Sequence, residues 1–179
     1  MDSLLLAVFD ITAQIRSFMA AGGPVLVAIA GVILLMWAMS VERMLYLQRV
    51  LPRQEAQVIA AWRQRPERTS WQAHQIRRAL IAHVDQDASH YLSSIKTLVM
   101  VCPLFGLMGT VTGMIAVFDV MAFSGMGNPR LMAAGVSQAT IPTMAGMVGA
   151  LSGLFVIYWL EAKVKQRVAL LGDHLTLEG

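Results

Sequence analysis

Three long stretches of the chain carry no charge at all, residues 17–41, 97–118 and 131–160. The hydrocarbon core of a bilayer takes about 20 apolar helical residues at ~1.5 Å of rise each, and every stretch meets that length. Gly22-Gly23-Pro24 breaks the first one, and proline suits a first helical turn. The pattern therefore predicts membrane spans at 24–43, 98–121 and 136–160. Residues 1–22 read differently. Asp10, Gln14 and Arg16 fall among Leu5, Val8, Phe9 and Ile15, which predicts a short amphipathic helix at the membrane surface. The opening MDSLLLAVFD carries Asp2 and no base ahead of its apolar run. That is the reverse of a secretory signal, so this helix is expected to be retained.

Helical periodicity continues between the spans. QEAQVIAAWRQ puts Val58, Ile59 and Trp62 at helical spacing, IRRALIAHV does so with Ile76, Leu80 and Val84, and Pro66 interrupts between them. Residues 44–97 are thus expected to form a helical loop in which the spans extend out of the membrane around a short hairpin. FSGMGNPRL places Gly125, Gly127 and Asn128-Pro129 in a turn within the loop 122–135, and residues 161–179 form the tail. The expected fold class is an all-α membrane protein with three transmembrane helices and cytoplasmic helical extensions.

Composition agrees. The 179 residues leave room for one domain, 56% are hydrophobic and only 14% are charged, against about a quarter charged in soluble domains. A single cysteine, Cys102, excludes an intrachain disulfide or a CxxC site. It reads as a small packing residue. Of the 14 lysines and arginines, twelve lie on one side: Arg43, eight from Arg49 to Lys96, and Lys163, Lys165 and Arg167. Only Arg16 and Arg130 lie on the other. Because basic loops stay inside, the N-terminus is expected outside, with the long loop and the C-terminus inside. The inner loop's basic residues read as fixing topology and facing anionic lipid, and Glu42-Arg43 at the inner end of the first span reads as an anchor. Nothing resembles the aromatic-interleaved basic patch of a nucleic-acid binder. His74, His83 and His90 are too widely spaced for a compact metal site. No cofactor is implied. The absence of a nucleophilic triad, a phosphate loop or paired carboxylates argues against an enzyme.

The polar chemistry lies inside the spans. Gly106, Gly109, Thr110 and Gly113 share one helical face, and Ala139, Thr143, Gly146, Ala150 and Gly153 form a second small-residue stripe. Small residues let helices in lipid approach closely, and threonines can simply bond back to their own helix. Threonine nevertheless recurs at Thr97, Thr110, Thr112, Thr140 and Thr143, with Ser137 and Gln138 nearby. Pro142 lies inside the third span, where it frees the carbonyl of Gln138, so a wet lining is the alternative reading. No Asp, Glu, Lys, Arg or His occurs in the middle of any span. If protons cross here, another chain must supply the carboxylate. Asp119, at the outer end of the second span, reads either as an interfacial carboxylate or as a proton or partner contact.

The stretches PLFGLMGTVTGMIAVFDVMA and NPRLMAAGVSQATIPTMAGMVGALSGLFV resemble the MotA/TolQ/ExbB proton-channel family, most strongly ExbB of TonB-dependent energy transduction. The detailed likeness covers about residues 98–165. The resemblance implies a homo-oligomer, a pentamer, in the inner membrane of a Gram-negative bacterium, with the N-terminus periplasmic and the C-terminus cytoplasmic. It implies a pore lined by the second and third spans and filled by an ExbD-like single-span partner whose intramembrane Asp carries protons. A TonB-like protein would pass the resulting motion to outer-membrane transport. By motif position the pore threonines are Thr110 and Thr143, hydroxyls able to exchange donor and acceptor roles with a carboxylate, joined by Thr140 and Gln138. Three departures stand out. Gln138 replaces a common Glu, Pro142 stands where Ala is usual, and the chain is short. A MotA would need four spans and a larger inner loop. A TolQ-like subunit of envelope maintenance and a non-conducting scaffold for partner complexes are the alternative functions.

Overall fold

In a computed structural model, which describes residues 2–65, 67, 70–124 and 129–175, the described residues form five helices and no strand. They are α1 (Asp2–Arg49), α2 (Leu51–Arg63), α3 (Trp71–Ser89), α4 (Leu92–Ser124) and α5 (Pro129–His174). The turn residues Gly125, Gly127 and Asn128, the interrupting Pro66, and the side chains of Leu5, Val8, Phe9 and Asp10 lie outside the described residues. Among the described residues, three helical segments are long and apolar enough to cross a membrane, within Gly22–Arg63, Trp71–Phe123 and Met132–His174.

Local chemistry explains the breaks. α1 is two helical segments joined at Gly23, whose φ of 66° and ψ of −167° lie where only glycine is unstrained. Pro24 opens the second segment. α2 carries Pro52 in its first turn, where the missing amide hydrogen costs nothing. Ser70 caps α3 by accepting from the Ala73 amide at 3.2 Å, a cap of a preferred type. Between α3 and α4 the chain turns at Tyr91, with φ 66°.

The chain divides into two compact units. The first comprises residues 1–36 and 98–152. Its interior uses Val25, Leu26, Ile29 and Met36 of α1, Val99, Cys102 and Val117 of α4, and Ala139, Pro142 and Ala150 of α5. On α4 the buried positions 99, 102, 106, 109, 113 and 117 advance by steps of three or four, so they line one face of the helix as in a helix-packing seam. The outward faces stay apolar: Leu34, Met100, Leu104, Leu107, Phe118 and Val148 are all exposed. Bilayer hydrocarbon covers such faces, whereas a water-soluble chain rarely leaves this much apolar surface open.

The second unit comprises residues 37–97 and 153–179. α2 packs on α3 as a hairpin. Large side chains fill the interior here, among them Leu47, Leu51, Trp62, Ile95, Leu160 and Leu171. Arg43 is also inside, 3% exposed.

Candidate functional site

The α4–α5 seam of the first unit is built from residues with almost no side chain. A Cβ at Gly106 would lie 3.0 Å from the Thr143 Cα, one at Gly113 would lie 2.5 Å from the Ala139 Cα, and one at Gly146 would lie 2.6 Å from the Cys102 carbonyl oxygen. At Gly109 the obstacle is the ring of Pro142. The obstacles at 106, 113 and 146 are backbone atoms, which cannot swing aside as a flexible side chain can. Only a glycine lets the two backbones come this close, and close approach is how helices in lipid gain van der Waals contact. α1 packs along the same stretch of α5: Gly149 faces Ile33, and the Gln138 amide nitrogen would lie 2.9 Å from a Cβ at Gly23.

Within this seam Thr143 hydrogen-bonds across to α4, unlike Thr110, Thr112 and Thr140. Its Oγ1 donates to the Gly106 carbonyl at 3.1 Å. The others donate within their own helix, Thr110 to the Leu107 carbonyl at 2.7 Å, Thr112 to Gly109 at 3.1 Å and Thr140 to Val136 and Ser137 at 3.2 Å each. Each of these carbonyls can only accept, so each hydroxyl hydrogen is committed to the backbone. Pro142, beside Thr143, has no amide hydrogen to give to the Gln138 carbonyl.

The sequence-derived residues thus separate into groups. Gly106, Gly109, Gly113, Pro142, Thr143 and Gly146 converge on one seam, and Ala150 is buried further along α5. Thr110 is half-buried beside the seam, and Thr140 and Asp119 are exposed. Gln138 is half-buried, with its amide against the Gly23 break of α1.

The second unit holds polar contacts that reading the chain for topology alone does not anticipate. The Arg43 guanidinium stacks 4.9 Å from the Tyr46 ring centre and 4.7 Å from that of Tyr91, and donates to the Asp87 carbonyl at 3.3 Å. Arg43 is therefore an interior residue and not a lipid-facing anchor. The signal was its register: Met36, Ser40, Arg43 and Leu47, all buried, step along one face of α1. Arg77 forks onto the end of α5, to the Gly172 and Leu175 carbonyls at 2.7 Å each. Lys96 pairs with Glu161, and Arg167 with Glu55 at 3.3 Å. Burial pushes the Glu55 carboxyl above its ordinary 4.5, opposed less strongly by Arg167 and then His174. Its second oxygen, Oε1, is buried without a hydrogen-bond partner.

Comparison with known proteins agrees with this architecture. Residues 49–172, which include α2, α3, α4, the seam and most of α5, match the model of the MotA/TolQ/ExbB proton channel family. A protein of Synechocystis sp. named as an ExbB-like biopolymer transport protein is 35% identical over 89 residues. That match covers 46% of this chain and 35% of the relative, so the chain matches about a third of its relative's length. Since the family model spans well over half of the sequence and three helices are apolar enough to cross a membrane, this multi-pass membrane protein belongs to the MotA/TolQ/ExbB proton channel family.

Proposed function

We propose that the chain is an ExbB-like, non-enzymatic subunit of a proton-driven motor or channel in a Gram-negative inner membrane. Its spans are assigned to 24–43, 98–121 and 136–160. The periplasmic N-terminus and the cytoplasmic hairpin and C-terminus follow from the lysine and arginine distribution. Copies assemble as a ring, a pentamer by family resemblance, around an ExbD-like helix that carries the proton-binding carboxylate. A TonB-like protein then delivers the work to outer-membrane transport. One charge crossing ~100 mV releases about 2.3 kcal/mol, a scale suited to stepwise motion. The name of the Synechocystis relative points the same way.

The observation that carries this reading is the chemistry of the α4–α5 seam. Thr143 lies among glycines and Pro142, while residues 97–118 and 131–160 contain no Asp, Glu, Lys, Arg or His. Such a lining is polar but brings no acid or base of its own, and the group that takes up and releases the proton has to be a carboxyl from another chain. In proteoliposomes under an imposed gradient, the chain alone is expected to pass no protons, and adding an ExbD-like partner to open a path. In cells, the Thr110→Val/Thr143→Val pair is expected to cripple TonB-dependent uptake at normal expression. Proton flux through the chain alone would refute the shared-site reading. A non-conducting scaffold is the second reading, favoured by neutral Gln138 at the position where ExbB and TolQ commonly have Glu. Partner binding without flux would select it.

A further inference from the structure

Two cavities run end to end along the α1–α5 face of the second unit. The first, about 500 Å³, is walled by Trp37, Val41, Met44, Phe155 and Trp159, with Ser40 as its single polar lining residue. The second, about 440 Å³, shares Met44 and Trp159 and opens onto Gln48, Lys163, Gln166 and Arg167. No acidic side chain lines it. Along α5 the change from apolar to basic falls where the uncharged stretch ends, just past Leu160. In a membrane, that is the depth at which hydrocarbon gives way to headgroups. Trp37 and Trp159 are each less than half exposed, and indoles favour this level because one edge is apolar and the other can meet water.

We propose that this groove is a binding site for one anionic phospholipid of the adjoining leaflet, with an acyl chain against Trp37, Val41 and Phe155 and the phosphate at Lys163. Two features select this occupant. The apolar half has no use for a free phosphate, and the basic half has no use for a bare hydrocarbon chain. Arg167 gives one nitrogen to Glu55, so much of its charge is already balanced. Lys163 makes no ion pair among the described residues and supplies the net positive charge. The inference rests on α1 and α5 crossing a membrane and is independent of proton conduction.

The test uses the full chain, purified in detergent, delipidated and offered phosphatidylglycerol and phosphatidylcholine in equal amounts, with bound lipid counted by native mass spectrometry. Phosphatidylglycerol is expected to dominate. Lys163→Gln is expected to lower its retention about five-fold, the effect of one basic residue near an anionic surface, and Lys163→Arg to preserve it. In nanodiscs, brominated phosphatidylglycerol at low mole fraction is expected to quench tryptophan fluorescence more than brominated phosphatidylcholine, and Lys163→Gln to erase that difference. Equal retention of the two lipids, or a Lys163→Gln chain that holds phosphatidylglycerol as the parent does, overturns the proposal. So does disulfide formation between copies carrying Trp37→Cys and Phe155→Cys, because a second copy would then fill the groove.

Discussion

At Gly146 a single hydrogen atom stands where a methyl group would lie 2.6 Å from the Cys102 carbonyl oxygen, whereas at Gly31 nothing stands within 4 Å. The same substitution should therefore have opposite signs at the two positions. Gly146→Ala pushes a backbone carbonyl and is expected to cost about 1–3 kcal/mol, the usual penalty of overpacking. Gly31→Ala meets no obstacle and is expected to gain up to about 1 kcal/mol from helix propensity. Thermal unfolding of the two variants in one detergent separates them, and equal shifts would refute the close-approach account of the seam. The 106–109–113 glycine stripe was legible in the sequence, because a shared face of small residues has few uses in lipid other than contact. The Thr143 bond to Gly106 was not, since a hydroxyl on a helix can bond to its own backbone or to a neighbour, and only the packing decides which.

Among the helices, α5 is tied at its end by Arg77. Its two bonds satisfy carbonyls that the end of a helix leaves unpaired, and its charge sits where the helix dipole favours a cation. Arg77→Ala is expected to cost about 1–2 kcal/mol and to raise hydrogen exchange in the last turn of α5, and Arg77→Lys to keep part of the stability. Unchanged exchange in Arg77→Ala would show that solvent serves those carbonyls equally well. The helices were legible because an uncharged run longer than a bilayer is thick has few alternatives, and because Pro24 marks a start that local chemistry enforces. Interior roles for arginines were hidden. Composition reads a basic residue as exposed by default, and Arg43 is buried only because its register on α1 brings it against Tyr46, Tyr91 and the Asp87 carbonyl.

For the molecule as a whole, Glu55 sets a pH signature. Burial makes its folded-state proton affinity higher than in the unfolded chain, so the folded form is favoured where the carboxyl is protonated. Its contribution is present below the ordinary 4.5 and lost as pH rises through the raised value. Glu55→Gln removes the titration. The parent's thermal stability is therefore expected to fall relative to Glu55→Gln as pH climbs from below 4.5 towards neutrality, and a difference that is constant or grows in the parent's favour would refute this. The all-helical membrane class followed from the distribution of charge along the chain. The tie between Glu55 of α2 and Arg167 of α5 did not, because it joins residues 112 positions apart that no local pattern relates.

The direction of the Thr143 hydrogen bond has a consequence for whatever group approaches it. With its hydrogen given to Gly106, the Thr143 oxygen offers only lone pairs, and the Thr110 oxygen is in the same condition. A carboxylic acid arriving there can donate to such an oxygen, but a carboxylate finds no donor and meets its lone pairs head on. The seam is thus selective for the acid over its conjugate base. A carboxyl group held against it would keep its proton to a higher pH than in water, and would release it only after turning away.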